Sequence, residues 1–366
     1  MRTFATCFAA GLVTLSLCGA ALAGPPQVMP PDYNEVFPAK FISQGTPSKT
    51  QAQCEATPNA VWVNAQWTSQ GLFSASQEST WECIRYFPSD DAIGGNTAMF
   101  FMSGDVVLIK GAGDSDTNPG YRGNNYQAQV ANANRHAKDN GVPFIHLARF
   151  GMFGSTGNTA THRHSNKEAA VMRAALQAAK QALGYPRISV VGQSGGGSLT
   201  GAMLTSGQAG LDCVVISSGA VSAKTRLRTS KRTQWVRPGY DTTGLPVSEM
   251  FDAIDQLRQA AVDPKRRVFM MADRRDTAVS YESQKEFADQ ANAMGVKINL
   301  IDVHASDPEF HGTAVQGIRT VGRCLAGLSD ADIAQQAAVG APALLARKDG
   351  APDARPPEPR EAQAGN

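Results

Sequence analysis

Arg187-Ile-Ser-Val-Val-Gly-Gln-Ser194-Gly-Gly-Gly-Ser-Leu199 is the stretch that decides the fold. Ile188, Val190 and Val191 form the short β-branched run of a buried strand. Glycines follow, and residues 198–204 are compatible with a helix. Ser194 therefore stands on a strand–turn–helix junction, and Gly192-Gln193-Ser194-Gly195-Gly196 fits G-x-S-x-G, a nucleophile elbow. The physical demand is specific. A serine on such a turn adopts unusual backbone angles, and a Cβ on its neighbours would strike the adjoining strand or helix. The hydroxyl is then raised above the sheet edge, beside a helix N-terminus that favours developing negative charge.

Outward from this stretch, strands and helices alternate. Residues 97–105, Thr-Ala-Met-Phe-Phe-Met-Ser-Gly-Asp, read as a buried strand ending in a glycine turn. The segment from 111 to 125 is rich in Gly, Asp, Asn and Pro and reads as a loop, followed by a helix over 125–140 that stops at Asn140-Gly141. Residues 142–148 give the next strand, which runs into the glycine-rich loop 149–157. Ser165-Asn-Lys-Glu168 has the form of a capping box opening a helix with Ala169, Val171, Met172, Leu176 and Ala179 on one side. After the elbow come strands over 211–217, 266–272 and 296–303, a helix over 282–294 between the last two, and a terminal helix from about Thr313. Strand–helix alternation of this kind predicts an α/β class with a mainly parallel, doubly wound sheet. Residues 220–262 interrupt it and are expected to form a small cap insertion.

Domain limits follow from composition. Arg2, an apolar run over 4–17 and Ala21-Leu22-Ala23 read as a signal peptide cut after Ala23, predicting a periplasmic or secreted protein. Leu17 stands before Cys18 where a lipoprotein signal wants a small residue. Residues 24–58 are expected to be irregular, 59–338 one α/β domain, and 339–366, rich in Ala, Pro and charge, a disordered tail. A formal net charge of +2 over 366 residues gives no electrostatic footprint for nucleic acid. After the leader no apolar run reaches the length of a membrane span, so stable insertion is not expected. Nothing in the chain speaks to oligomeric state.

Export makes disulfides possible. Cys54 and Cys83 close a modest loop and are the favoured pair; Cys213 and Cys324 either pair or serve as small core residues. No cysteine or histidine spacing has the form of a zinc site, and no cofactor is expected. His162-Arg-His164 has the look of a metal pair but lacks a third ligand in view. Gly151-x-x-Gly154-x-x-Gly157 imitates a dinucleotide loop without the acidic residue on a following strand. The run from Lys224 to Arg237 holds six cations and no acid, and reads as a solvated cap face. Trp235 and Tyr240 are candidates to line a pocket there.

A serine hydroxyl at its free pKa is a poor nucleophile, so a base and an orienting acid are required. The chain order Ser, Asp, His restricts the search to residues after 194, where the histidines are His304 and His311. His311-Gly312 lies in a loop past the last strand and is preferred; His304 ends the strand itself. For the acid, Asp276 sits deeper in its loop than Asp273, with Val279 as an apolar anchor three residues on, and is preferred. Asp273 is expected to bind turn backbone. Asp302 and Asp307 lie on or beside the histidine's own segment.

Gly192-Gln-Ser-Gly-Gly-Gly, Asp276-x-x-Val and His311-Gly resemble the hydrolase domain of the prolyl oligopeptidase and acylaminoacyl-peptidase superfamily. Cys83-Ile-Arg-Tyr-Phe, Ser103-Gly-Asp105 and Leu147-Ala-Arg-Phe-Gly-Met-Phe-Gly-Ser-Thr-Gly157 are more closely similar to a group of exported bacterial α/β-hydrolases. The chain departs from that group at Ser103, where His is usual, and at Phe150, where Pro is usual. The resemblance spans roughly residues 60 to 325 and implies an α/β-hydrolase fold. It implies Ser194 as nucleophile, Asp276 as acid and His311 as base, with backbone N–H groups of Gly195 and Asp105 as oxyanion donors. The expected activity is serine hydrolysis of a small-molecule acyl ester through an acyl-enzyme. Peptide or amide cleavage is the second choice, since no paired glutamates for an amine pocket are legible. A secreted binding protein on a hydrolase fold is the third.

Overall fold

Side chains along the strand that carries the elbow alternate between two cores. Ile188 and Val190 pack among Ala175, Leu176 and Leu199 on one face of the sheet, whereas Val191 packs with Ile318 and Val321 on the other. A strand buried on both faces has to be apolar throughout, which is why Ile188, Val190 and Val191 all stand at zero exposure. The computed structural model describes residues 35–70, 74–90, 96–111, 114–231, 236–260 and 262–338. The leader and the tail expected from the sequence lie outside them, as does Trp235.

The strands are β1 (Ala60–Gln70), β2 (Ala75–Pro88), β3 (Thr97–Met102), β4 (Val107–Gly111), β5 (Asp114–Thr117), β6 (Phe144–Leu147), β7 (Arg187–Gln193), β8 (Leu211–Ser217), β9 (Arg267–Ala272) and β10 (Ile298–Asp302). Eight form one sheet in the order β1-β2-β6-β3-β7-β8-β9-β10. Pairing is parallel from β6 to β10, and β2 runs antiparallel to both β1 and β6. The helices are α1 (Lys40–Gln44), α2 (Gln51–Glu55), α3 (Tyr126–Asn140), α4 (Thr159–His162), α5 (Asn166–Ala182), α6 (Gly195–Thr205), α7 (Ala223–Thr229), α8 (Tyr281–Ala293), α9 (Ala314–Leu325) and α10 (Asp330–Ala338). Helices α5, α6 and α8 cover one face, and α3, α9 and α10 the other. This is the mainly parallel, doubly wound sheet of the α/β-hydrolase fold.

The structure differs from the sequence reading in three places. The stretch expected to be a loop from 111 to 125 contains β5, whose polar run Asp114–Thr117 pairs antiparallel with β4, an apolar strand over Val107–Gly111 that the sequence reading did not include. The segment expected to be irregular contains α1 and α2, and Phe37 and Ile42 from it pack against Phe87, Tyr126 and Phe153. At Ser165 the helix cap forms, since Ser165 Oγ accepts from the Glu168 amide at 3.1 Å. The Glu168 carboxylate, however, does not close the box. It accepts instead from the amide of His164 and from Arg149, because a buried guanidinium competes more strongly for a carboxylate than a helix amide does.

Two disulfides tie outlying helices to the sheet. Cys54–Cys83 joins α2 to β2, and Cys213–Cys324 joins β8 to α9. The favoured pair is present, and the pairing left open for Cys213 and Cys324 is present too.

Candidate active site

Ser194 stands between β7 and α6 with φ 56° and ψ −117°, a conformation that L-residues adopt only when their surroundings impose it. Its amide donates to the Ser217 carbonyl of β8 at 2.9 Å, which fixes the turn to the neighbouring strand. The glycines are required by close approach. A Cβ on Gly192 would run into the Gly196 carbonyl, and one on Gly196 into the carbonyls of Met102 and Ser103. The elbow is thereby pressed against the end of β3, and a Cβ on Gly104 would come within 3.1 Å of that of Ser194.

His311 and Asp276 meet. His311 Nδ1 lies 2.7 Å from Asp276 Oδ2, while Asp276 Oδ1 accepts from the amides of Ala278 and Val279 at 2.8 and 2.9 Å. An ionised carboxylate only accepts, so Nδ1 carries the proton. His311 Nε2 is then free to take one, and it is a buried nitrogen with no hydrogen-bond partner in the structure. Val279 is fully buried and anchors the acid loop, as expected of it.

The loop carrying His311 is fixed from three sides. Asp307 accepts from the amides of Glu309, His311 and Gly312. Burial alone would raise the Asp307 carboxyl, but these amides hold it below the ordinary carboxylate range. Gln193, the residue before the serine, donates to the His311 carbonyl at 2.7 Å and accepts from Thr313. The Thr277 amide donates to the Glu309 carbonyl at 3.1 Å, joining the acid loop to the histidine loop. Asp273 binds the backbone of Arg275 and Ala305, the turn role expected of it, and His304 is exposed at the strand end.

Against the first turn of α6 lies a group of charges that sequence reasoning did not connect, with Arg149, His164 and Glu168 buried and Asp105 partly exposed. Arg149, at zero exposure, bridges Asp105 Oδ1 at 2.7 Å and Glu168 Oε1 at 2.7 Å. His164 Nε2 lies 3.0 Å from Asp105 Oδ2, with Arg163 Nε at 3.8 Å. Burial would raise the Asp105 carboxyl, but His164, Arg149 and Arg163 hold it well below its usual range. Any Cβ on Gly195 would collide with Asp105 Oδ1 and Arg149 Nη1, so the first turn of α6 rests directly on this group. The one local signal for it was the motif pair Ser103-Gly-Asp105 and Ala148-Arg149-Phe150, which says that the residues matter and not what they touch.

The cations of the run from Lys224 to Arg237 divide among different tasks. Lys224 pairs with Asp255, Arg226 turns inward to the Ala278 carbonyl at 3.1 Å, and Arg237 stacks over Tyr240 at 3.7 Å. Tyr240 and Arg237, with Leu227, Arg228 and Val247, line an open cavity of about 600 Å³. Helix α7, which forms one wall, is joined to the acid loop through Arg226 and through Ser230, whose hydroxyl also donates to Ala278.

A serine on an elbow, a histidine carrying a carboxylate and an eight-stranded sheet of this order are the parts of a serine hydrolase of α/β-hydrolase fold. Residues 153–318 match the model of the prolyl oligopeptidase family, so the chain is similar to that family over the segment holding all three side chains. No curated protein compared with the sequence matches it significantly. Among solved structures the chain is similar to an esterase of Pyrococcus furiosus, at 16% identity and a TM-score of 0.46, covering 81% of this chain and 98% of the esterase. It is similar to the acylaminoacyl peptidase of Pyrococcus horikoshii at 11% identity and a TM-score of 0.45, covering 75% of this chain and 42% of the peptidase. Est1E of Butyrivibrio proteoclasticus, solved with ferulic acid bound, aligns at 14% identity and a TM-score of 0.46, over 67% of this chain and 94% of its own. Likenesses of this size carry no activity from those proteins to this one. Among the described residues no group of three or more metal-ligating side chains forms, and no helix is long and apolar enough to cross a membrane.

Proposed function

We propose that the protein is an exported serine hydrolase that cleaves carboxylic esters through an acyl-enzyme. The observation that carries the reading is His311: its Nδ1 is held by Asp276 at 2.7 Å while its buried Nε2 has no partner, which is how a general base waits for a hydroxyl. In this reading Ser194 attacks the ester carbonyl as its proton passes to His311 Nε2. Asp276 holds the ring in the Nδ1–H tautomer and stabilises the imidazolium. The amides of Gly195 and Asp105, with the α6 N-terminus behind them, bind the oxyanion, each donor contributing about 3 kcal/mol. His311 returns the proton to the departing alcohol, and water then repeats the sequence to release the acid.

Ester hydrolysis needs no more than these parts. The neighbouring carboxylates Asp105, Glu168 and Asp307 are each held by protein partners, and so are poorly placed to receive a peptide's ammonium terminus. The family match favours a second reading, a peptidase or amidase using the same three side chains. Export is supported by the leader-like first residues and by the two disulfides, which persist in oxidising compartments.

Two measurements test this. A fluorophosphonate should label the mature protein and fail to label Ser194→Ala; an unlabelled, folded wild type would leave a binding protein on a hydrolase scaffold. Turnover of short p-nitrophenyl esters against aminoacyl-nitroanilides separates the two activities, and turnover confined to the anilides would overturn the ester assignment.

A further inference from the structure

His164 holds φ at +65°, a left-handed backbone that a non-glycine residue keeps only when its surroundings demand it. Three hydrogen bonds impose it. The His164 amide donates to Glu168 Oε2 at 2.7 Å, its carbonyl accepts from the Phe251 amide at 2.9 Å, and its Nε2 meets Asp105 Oδ2 at 3.0 Å. These partners belong to helix α5, to the cap and to the loop after β3. The amide and carbonyl bonds are made by the backbone and are open to any residue other than proline. The bond to Asp105 is what distinguishes histidine here. It completes the grip on the residue whose amide, in the reading above, binds the oxyanion, while Arg149 holds the other carboxylate oxygen from below.

We propose that His164 is a positioning residue for the oxyanion loop: it fixes the Asp105 side chain, and with it the peptide that faces Ser194, and it makes this geometry depend on the seating of the cap at Phe251. The inference rests on the serine-hydrolase reading. It assigns work to the His162-Arg-His164 motif that a metal reading leaves idle, since His164 Nε2 is engaged with a carboxylate.

The test compares His164→Asn with His164→Gln. Asparagine tolerates the left-handed backbone but is too short to reach Asp105, whereas the glutamine amide spans nearly the same distance as Nε2. Active sites are counted by fluorophosphonate titration, so misfolded protein drops out of the rate. Per titrated site, His164→Asn should lower kcat for an ester by about 10- to 100-fold with KM little changed. It should weaken inhibition by a trifluoromethyl ketone, which forms the tetrahedral oxyanion, by a similar factor. His164→Gln should recover much of both. Should His164→Asn fail to fold, His164→Gly, which accepts the left-handed backbone and likewise removes the imidazole from Asp105, should give the same kcat-selective loss. A kcat per site within about twofold of wild type in His164→Asn, or equal losses in Asn and Gln, would overturn the proposal. A wild type that neither labels nor turns over would sink the hydrolase reading instead, so the two failures are distinguishable.

Discussion

The side chain of Gln193 holds the backbone of His311. Its Nε2 donates to the His311 carbonyl at 2.7 Å, and its Oε1 accepts from the Thr313 amide at 3.1 Å and the Thr313 hydroxyl at 3.2 Å. The residue before the proposed nucleophile thus places the loop of the proposed base, across nearly the whole C-terminal half of the fold. Truncation at Gln193→Ala leaves a buried amide and carbonyl without partners, which costs about 1–3 kcal/mol of stability. The larger effect is expected on rate: with the imidazole loosened by a fraction of an ångström, kcat should fall by about 10- to 100-fold. Urea unfolding and ester turnover on the same preparation check both. A variant that loses stability but keeps kcat would show that Asp276 and Asp307 suffice to hold the ring.

Asp276→Asn is predicted to abolish most activity while leaving the fold in place. The asparagine carbonyl can still accept from the Ala278 and Val279 amides, so the loop keeps its anchor. Its NH2 would then face Nδ1 of His311 and select the tautomer protonated on Nε2, which cannot receive the serine proton. The expected loss in kcat is about 10³- to 10⁴-fold. Thermal unfolding should be close to that of wild type. A loss below about tenfold would remove Asp276 from the role proposed for it.

How much of this was legible in the sequence depended on how local the signal was. Ser194 could be read because strand, turn and helix lie within a dozen residues and glycine is forced by close approach. Asp276 and His311 could be narrowed by chain order, and the structure brings them together. Arg149, Glu168 and His164 could not be connected to Asp105, because a buried ion group is assembled by the packing of β3, β6 and α5 and leaves no periodicity. Asp307 lies on the histidine's own segment, which makes it a poor candidate for the acid. That position is what lets it cap the amides of His311 and Gly312. The β4–β5 hairpin is not legible because Asp114-Ser-Asp-Thr117 has the composition of a loop and takes its strand form from pairing.

The two disulfides should differ in what they contribute. Chain-entropy arguments assign about 4–5 kcal/mol to a loop of 111 residues and about 3–4 kcal/mol to one of 29, the separations of Cys213–Cys324 and Cys54–Cys83. Replacing Cys213 and Cys324 by Ala should therefore lower unfolding free energy by more than the same change at Cys54 and Cys83. Helix α9 begins at Ala314, directly after the His311 loop, and in the oxidised protein β8 holds it covalently. Because Gln193 and Asp307 fix that loop independently, kcat of the folded fraction at 25 °C should stay within about threefold of wild type. Denaturant titrations of the two double variants, with and without reductant, test the ranking; the reverse order would show that native packing around α2 outweighs the loop term.

Acid sensitivity is predicted to begin near pH 6.5 rather than in the carboxylate range, and His146 is the cause. The ring is buried among Phe87, Phe101 and Phe153, and its Nδ1 meets Gln129 Oε1 at 2.6 Å. Burial, with a smaller push from His136, lowers its pKa to about 3. A depressed histidine favours the neutral folded state, so its stabilisation is complete above the unfolded value of about 6.5 and is lost progressively as pH falls toward about 3. The total at stake is on the order of 5 kcal/mol. His136 and His162 are lowered in the same direction, each first by burial, and add to the slope. The depressed carboxylates Asp105, Asp273, Asp307 and Asp330 contribute only below about pH 4, where the unfolded chain begins to take up their protons. Asp252, whose carboxyl burial raises, works in the opposite direction, so a decline across the window from pH 6.5 to 4.5 comes from the histidines. Unfolding free energies measured across it should decline in wild type and decline distinctly less in His146→Gln, which keeps a polar partner for Gln129 and has no proton to gain. Equal slopes in the two proteins would mean that the ring escapes its pocket before it charges, and that burial in the native state is not what sets its titration.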